Sequence, residues 1–350
     1  MEKFYVLESG AYIKKEGAVL AVFRGRQKIG EIPLRGLKQL VLVGRSSFSG
    51  AVLDVLIRER IETVLLTPEG RFRARLVVDE HAHVERRRAQ YLVLSDPEAS
   101  LNVARKIVSA KLRDMAHFLM RKSEGGKEEL LRESAIQIRA LARLAEETPS
   151  LETLRGLEGH GSSVYFSVFS RLIGNKSFFF EERSRRPPRD PVNAMLSFVY
   201  TLLTGEVLTA VQSVGLDPYL GALHAVEYGR PSLACDLVEE WRTFMGERFV
   251  LRLINLGMVK PEDFVFRTSV AADGVDEEDL RKNRPVEMKP AMLRAFLQAY
   301  EKWMQTRLRC PLTGQKRNFR GLIHDQSRRF ARFLLGEDDE YRPFPWWEVA

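Results

Sequence analysis

The chain has 350 residues, 45% of them hydrophobic, which is enough for two domains each with its own core. No apolar run approaches the length that spans a bilayer, and Met1-Glu2-Lys3 does not open a signal peptide. Two cysteines, Cys235 and Cys310, supply neither a disulfide framework nor zinc spacing, so a reducing cytoplasm is the expected setting. The net charge of +8 and a pI of about 9.5 point only moderately to nucleic acid; the clustering of that charge says more.

Residues 1–80 predict a small β-rich domain. Phe4–Leu7, Tyr12–Lys14, Val19–Phe23, Lys28–Pro33 and Gln39–Val43 are short, β-branched or alternating, and separated by glycine-containing turns. Val52, Leu53, Leu56 and Ile57 predict one amphipathic helix over Gly50–Glu59. A buried strand follows over Ile61–Leu66, and a turn at Pro68-Glu69-Gly70 leads into a strand over Arg71–Val78. Gly25 and Gly30 have the spacing of a phosphate loop. Glu31-Ile32 stand where Lys and Ser/Thr are needed, so no nucleotide cofactor is implied.

Residues 81–90 read as a linker, with His81 and His83 lacking a third metal ligand nearby. From residue 91 to 335 the chain predicts a larger all-α domain, so the fold class is α+β. Asp96-Pro97-Glu98 form a helix start, and Leu101, Ala104, Ile107, Val108, Leu112, Met115 and Leu119 form its apolar stripe, which Gly125-Gly126 end. Further helices are predicted over Glu128–Glu146, from the Glu158 region onward, and over Pro191–Leu203, Gly205–Val214, Ser232–Leu253, Pro261–Phe266, Pro290–Leu308 and Gly321–Leu335. Residues 336–350 form an acidic, then aromatic tail, which either docks on a neighbouring surface or stays mobile.

Two segments carry candidate chemistry. In Leu154–Phe166, Glu158 stands among Gly156, Gly159 and Gly161. Each interior helix glycine costs about 1 kcal/mol relative to alanine, so three in one helix need a reason such as close approach of a backbone or ligand. In Gly221–Arg242, His224 precedes a break at Gly229-Arg230-Pro231, and Ser232 is the expected N-cap of the next helix. Asp236 and Glu239 then share one helix face. Each segment also has a structural reading: Glu158 as an ordinary charge near a helix start, and Glu239 paired with Arg242 on a solvated surface.

From about Gln90 to the last helix the sequence resembles the CRISPR-associated endonuclease/integrase family "Cas one", which acquires new spacers; the N-terminal part fits more loosely. The blocks that carry the resemblance are G-L-E-G-x5-Y-F from Gly156, R-x-x-P-R-D-P-V-N-A-x-L-S-F-x-Y from Arg185, and L-H-x4-G-R-x-S-L-x-x-D-L-x-E-x-x-R from Leu223, in family order. The resemblance implies that Glu158, His224 and Glu239 hold Mg2+ or Mn2+, with Asp236 beside them in the catalytic group. One imidazole with oxygen ligands suits those ions better than a thiolate-seeking metal. It implies a homodimer through the N-terminal domain and a small CRISPR-associated partner, "Cas two". The implied reaction is attack of a DNA 3′-hydroxyl on a phosphodiester.

Two basic zones complete the reading. Arg183, Arg185, Arg186 and Arg189 sit on a loop stiffened by Pro187 and Pro188, and Arg317, Arg320 and Arg328 lie near the C-terminus. Arginine's planar fork suits phosphate, so these are the expected contacts to DNA, duplex with single-stranded ends. Two functions stay open on the residues alone: a metal-dependent DNA endonuclease/integrase, or a non-enzymatic DNA-binding or scaffold protein whose acids form structural salt bridges.

Overall fold

The computed structural model describes residues 3–8, 10–67, 72–76, 83–123, 128–184, 187–266 and 286–349. The chain forms two compact units, Met1–His81 and Ala82–Ala350.

The first unit holds two four-stranded sheets and one helix. Strands β1 (Lys3–Val6), β5 (Gln39–Val43), β7 (Glu62–Leu66) and β8 (Phe72–Leu76) form one sheet in the order β1-β5-β7-β8. Pairing is parallel for β1/β5 and β5/β7 and antiparallel for β7/β8. Strand β5 is the unbroken run Gln39-Leu-Val-Leu-Val43 and every residue of it is buried, as a parallel central strand requires. The other sheet has the order β4-β3-β2-β6, from β2 (Tyr12–Glu16), β3 (Val19–Arg24), β4 (Gln27–Pro33) and the two-residue β6 (Ser47–Phe48). Strand β6 is too short to show an alternation and has no sequence signal. Helix α1 (Gly50–Arg58) adds Val52, Val55 and Leu56 to a core with Ile13, Leu20, Ile32, Leu40 and Leu42. The expected turn at residues 68–70 lies outside the described residues.

The second unit departs from the sequence reading in several places. The expected linker 81–90 is helical from Val84, where α2 (Val84–Ser95) begins. Helix α3 (Pro97–Ser123) runs 27 residues, about 40 Å at 1.5 Å per residue. The expected stop at Gly125-Gly126 lies outside the described residues. Helix α4 is Glu129–Glu147, and α5 (Leu151–Ser167) is capped by Ser150, whose hydroxyl accepts from the Thr153 N–H at 3.1 Å. The two helices expected between Pro191 and Val214 are one, α6 (Pro191–Ser213), capped by Asp190. Gly205 does not interrupt it, because its neighbours Leu202, Leu203, Val207 and Leu208 are all buried. Unbroken, α6 is long and apolar enough to cross a membrane by length and composition, but it is mostly buried within the unit, as a core helix is.

The helix expected over Ser232–Leu253 is broken into α7 (Ser232–Val238), a π-helical turn over Arg242–Glu247 and α8 (Arg248–Asn255). Ser232 is not the cap; Pro231 is, and the Ser232 hydroxyl donates to the Ala225 carbonyl at 2.8 Å. Pro261–Phe266 is not a helix but a 3-10 turn followed by strand β9 (Phe264–Phe266), antiparallel to β10 (Val286–Met288). Helix α9 (Pro290–Met304) ends before a hairpin of β11 (Arg307–Arg309) and β12 (Lys316–Asn318), which leads into α10 (Phe319–Leu334). The unit is therefore mainly but not wholly α: among the described residues two short antiparallel strand pairs accompany the helices.

The C-terminal tail docks. Tyr341, Phe344 and Trp346 are buried, and all three bind Glu240. The Tyr341 hydroxyl and the Phe344 N–H donate to its carboxylate, and the Trp346 indole N–H donates to its carbonyl at 2.8 Å.

Candidate active site

The site begins with the close packing of α3 on α5. A Cβ on Gly161 would lie 2.3 Å from Leu112 Cδ2, so glycine is what lets the two helices approach there. Among the described residues nothing beyond the helix's own backbone lies within 4 Å of the Cβ positions of Gly156 and Gly159. The approach at Gly161 brings Lys111, beside Leu112, to Glu158, one turn before Gly161. Lys111 is buried on the apolar face of α3, and its ammonium pairs with Glu158 and, at 2.6 Å, with Glu239. The Ser162 hydroxyl donates to the same Glu158 oxygen at 3.1 Å.

Glu239 is buried at the C-terminal end of α7. Arg242 Nη1 donates to its two oxygens at 2.7 and 3.0 Å. The pairing read from the i, i+3 spacing therefore exists, but inside the protein and not on a solvated surface. The Arg242 guanidinium also lies over the Tyr200 ring, 4.1 Å from its centre, and the Tyr200 hydroxyl donates to Glu247 at 2.7 Å. Burial opposes ionisation of Glu239, yet Arg242 and Lys111 hold its carboxyl well below the usual range. Burial opposes ionisation of Glu158 as well, and Lys111 more than offsets it.

His224 is set by a separate device. Asp236, fully buried, accepts the backbone N–H groups of Ala222, Leu223 and His224 at 2.6, 3.0 and 2.9 Å. It also bonds Nδ1 of His224 at 2.7 Å. A carboxylate only accepts, so Nδ1 carries a proton, and the tautomer this selects has its lone pair on Nε2. Gly221 makes room for this: a Cβ there would lie 2.4 Å from Asp236 Oδ2 and under 3 Å from the backbone of Ser232 and Leu233. Arg155, on α5 one turn before Glu158, clamps the other side, donating to the Leu223 carbonyl at 2.9 and 2.6 Å.

The donor types suit a hard divalent ion: two carboxylates converge on one cation, beside an imidazole whose tautomer a carboxylate fixes. The expected three-ligand set of Glu158, His224 and Glu239 is nonetheless not assembled. Among the described residues no group of three His, Cys, Asp or Glu side chains stands close enough to hold a metal ion. The Lys111 ammonium sits between the two glutamates. Sequence reasoning missed Lys111, although a signal existed: it follows Ile107 by four residues and Val108 by three, on the predicted apolar stripe. Arg155 carried no such signal.

Not all of the expected DNA contacts are available for that role. Arg183 is half-buried, donating to Asn193 Oδ1 at 2.7 Å and to Ser197 Oγ at 3.1 Å, and lies over the Tyr200 ring. Arg320 pairs with Glu206 at 2.9 Å and Glu301 at 2.6 Å. Both guanidinium groups are engaged by internal partners. Arg317 is partly exposed and 3.0 Å from Asp325, Arg189 is exposed and 3.5 Å from Glu182, and Arg328 is exposed. Arg185 and Arg186 lie outside the described residues.

Comparison with known proteins accounts for the whole chain. The profile of the family described as CRISPR associated protein Cas1 matches residues 4–302. "CRISPR-associated endonuclease Cas1 3" of Thermus thermophilus is 37% identical over 97% of this chain and 96% of its own length. "CRISPR-associated endonuclease Cas1 1" of Chlorobaculum tepidum is 34% identical over 99% and 98%. Among solved structures, a casposase bound to integration product shares the fold with a TM-score of 0.81 at 22% identity, over 99% of this chain and 93% of that one. A CAS1 protein from Thermotoga maritima does so with a TM-score of 0.78 at 23% identity, over 96% and 97%. A chain of a Cas6-RT-Cas1–Cas2 complex has a TM-score of 0.82 at 18% identity; it matches 99% of this chain, which spans 36% of that one. On the profile match and the two near full-length relatives, this chain belongs to the Cas1 family of CRISPR-associated proteins.

Proposed function

We propose that this chain is a divalent-metal-dependent DNA endonuclease and integrase that inserts new spacer DNA into a CRISPR array. The observation that carries the reading is the convergence of Glu158 and Glu239 on a single cation; His224, whose tautomer Asp236 sets, is the third ligand the reading adds. The names of the curated relatives support nuclease chemistry, and the casposase that shares the fold supports integration. DNA and a Cas2 subunit are the partners this reading carries, in keeping with the neighbours' titles. Dimerisation through residues 1–80 belongs to the same proposal.

Glu158, Glu239 and Nε2 of His224 would hold Mg2+ or Mn2+. The bound ion supplies Lewis-acid polarisation of a phosphodiester. Asp236 keeps the His224 lone pair on Nε2, Arg155 and Asp236 fix the loop that carries the ring, and Arg242 keeps Glu239 ionised despite burial. The DNA 3′-hydroxyl oxygen bonds to phosphorus while the target's 3′-oxygen leaves. One P–O bond replaces another, so no nucleotide energy is consumed. With water in place of the hydroxyl, the same site cuts. Arg189, Arg317 and Arg328 are the described cations this reading gives to DNA phosphates.

A specific observation favours the scaffold reading as a rival: Glu158 and Glu239 do form internal salt bridges. Strand transfer of short duplexes into supercoiled plasmid with added Mn2+ or Mg2+ separates the two. Transfer that Glu239→Gln abolishes is the expected result. No transfer by the wild type with either ion would leave the scaffold reading in place.

A further inference from the structure

Lysine is a poor residue to bury, because its ammonium is strongly hydrated and tolerates a dry environment only when paired. Lys111 is 1% exposed, on a buried face of α3 that carries Ala104, Ile107, Val108 and Met115, with one acid, Asp114, one turn away. Its Nζ meets carboxylate oxygens of Glu158 and Glu239 and so joins α5 to the end of α7. These are the two carboxylates read above as metal ligands. A divalent ion needs their lone pairs, and a monovalent and a divalent cation in one buried place repel each other.

We propose that Lys111 is the resident counter-ion of the metal-free site, holding Glu158 and Glu239 together and competing with the divalent ion for them. The inference rests on the metal reading given under Proposed function. Lys111 acts through the two glutamates and is a positioning residue. Its pairing does two opposed things. It keeps two buried acids from repelling each other when no metal is present, and it weakens metal binding, because the ion must displace the ammonium before it can use both carboxylates. Metal affinity is scaled down to the fraction of molecules in which Lys111 does not hold the pair.

The test uses the full chain, Mn2+ as the probe, and two readouts other than activity: free Mn2+ by electron paramagnetic resonance, and Tm with and without Mn2+. Lys111→Met keeps the length of the side chain and removes its charge. It is expected to lower the metal-free Tm, to bind Mn2+ about tenfold more tightly than the wild type, and to show the larger Mn2+-induced rise in Tm. The double variant Lys111→Met with Glu158→Gln removes one acid along with the lysine. Its metal-free Tm is expected to recover above that of the single variant, and its response to Mn2+ to be lost. If Lys111→Met does not fold without metal, folding on addition of Mn2+ supports the proposal, and failure to fold with Mn2+ overturns it. Equal or tighter Mn2+ binding by the wild type overturns the competition while leaving the metal reading intact. Absence of Mn2+ binding by both proteins overturns the metal reading and this inference together.

Discussion

Asp236→Asn replaces a group that accepts four hydrogen bonds with one of nearly the same shape that accepts fewer. Oδ2 of Asp236 takes the N–H groups of Ala222 and Leu223, and Oδ1 takes the backbone N–H and ring Nδ1 of His224. An asparagine amide placed at the Oδ2 position strands two backbone donors. Placed at the Oδ1 position it strands only one, provided that the imidazole changes tautomer, because Nδ1 can then accept from the amide. The second arrangement is the cheaper, so the substitution moves the His224 proton from Nδ1 to Nε2. One buried hydrogen bond to a charged group is worth about 1.5–3 kcal/mol. At roughly 2–4 °C per kcal/mol for a unit of this size, Tm falls by about 3–12 °C. Nε2 then carries a hydrogen where the metal reading needs a lone pair, so strand transfer falls about 10–100-fold or more. Imidazole 15N shifts of selectively labelled histidine report the tautomer directly. A ring that stays protonated on Nδ1 in the Asp236→Asn protein, with Tm unchanged, would refute the reasoning.

Replacing Arg189, Arg317 and Arg328 together with alanine should flatten the slope of log affinity for duplex DNA against log salt by about 0.9 per lost phosphate contact. Arg320→Ala should instead lower Tm with the slope unchanged, since its partners are Glu206 and Glu301; a flattened slope would return it to the DNA surface. A chain starting at His83 should sediment as a monomer beside a dimeric full-length protein, because strand β4 is a seven-residue, mostly exposed sheet edge that needs cover; a dimeric truncated chain would place the interface elsewhere. Burial pushes the Glu240 carboxyl up to about 7 from its ordinary 4.5. The fold thus favours the protonated form, and its contribution is full below about pH 4.5 and is lost as pH rises through 7. That loss amounts to about 3 kcal/mol at most. Denaturant midpoints at pH 5 and pH 8 should therefore differ less in Glu240→Gln than in the wild type, and equal differences would show that Glu240 does not carry this dependence.

Local sequence determined the elements whose signals are local. The unbroken apolar run of β5, the stripe Ala104–Leu119 of α3 and the cap at Asp190 follow from side-chain period and capping chemistry, which neighbours in sequence decide. Where the expected helices were wrong, distant residues had intervened. The face of α6 on both sides of Gly205 is buried by other elements, so the loss of helix propensity at one glycine is outweighed by burial. The helix after Ser232 breaks into a π-turn where Phe244 stacks on Trp346 of the tail, about a hundred residues away, and Trp241 meets the same ring edge-on.

The candidate site divides in the same way. Its charged residues were legible one by one: Glu158 among glycines, His224 before a turn, and Asp236 and Glu239 three apart. Their partners were not. Asp236 is held by N–H groups 12 to 14 residues upstream, not by the start of its own helix. Lys111 lies 47 residues from Glu158 and 128 from Glu239 in sequence, and it reaches both only because Gly161 lets Leu112 pack where a Cβ would otherwise sit. Arg183 and Arg320 looked like phosphate ligands because charge and spacing alone cannot tell a solvated guanidinium from one that has found acids or amides inside. Amino-acid type and periodicity determined which groups this protein carries and on which elements. Tertiary packing decided which of them meet, because an ion pair between distant residues forms only after burial of apolar surface has brought their elements together.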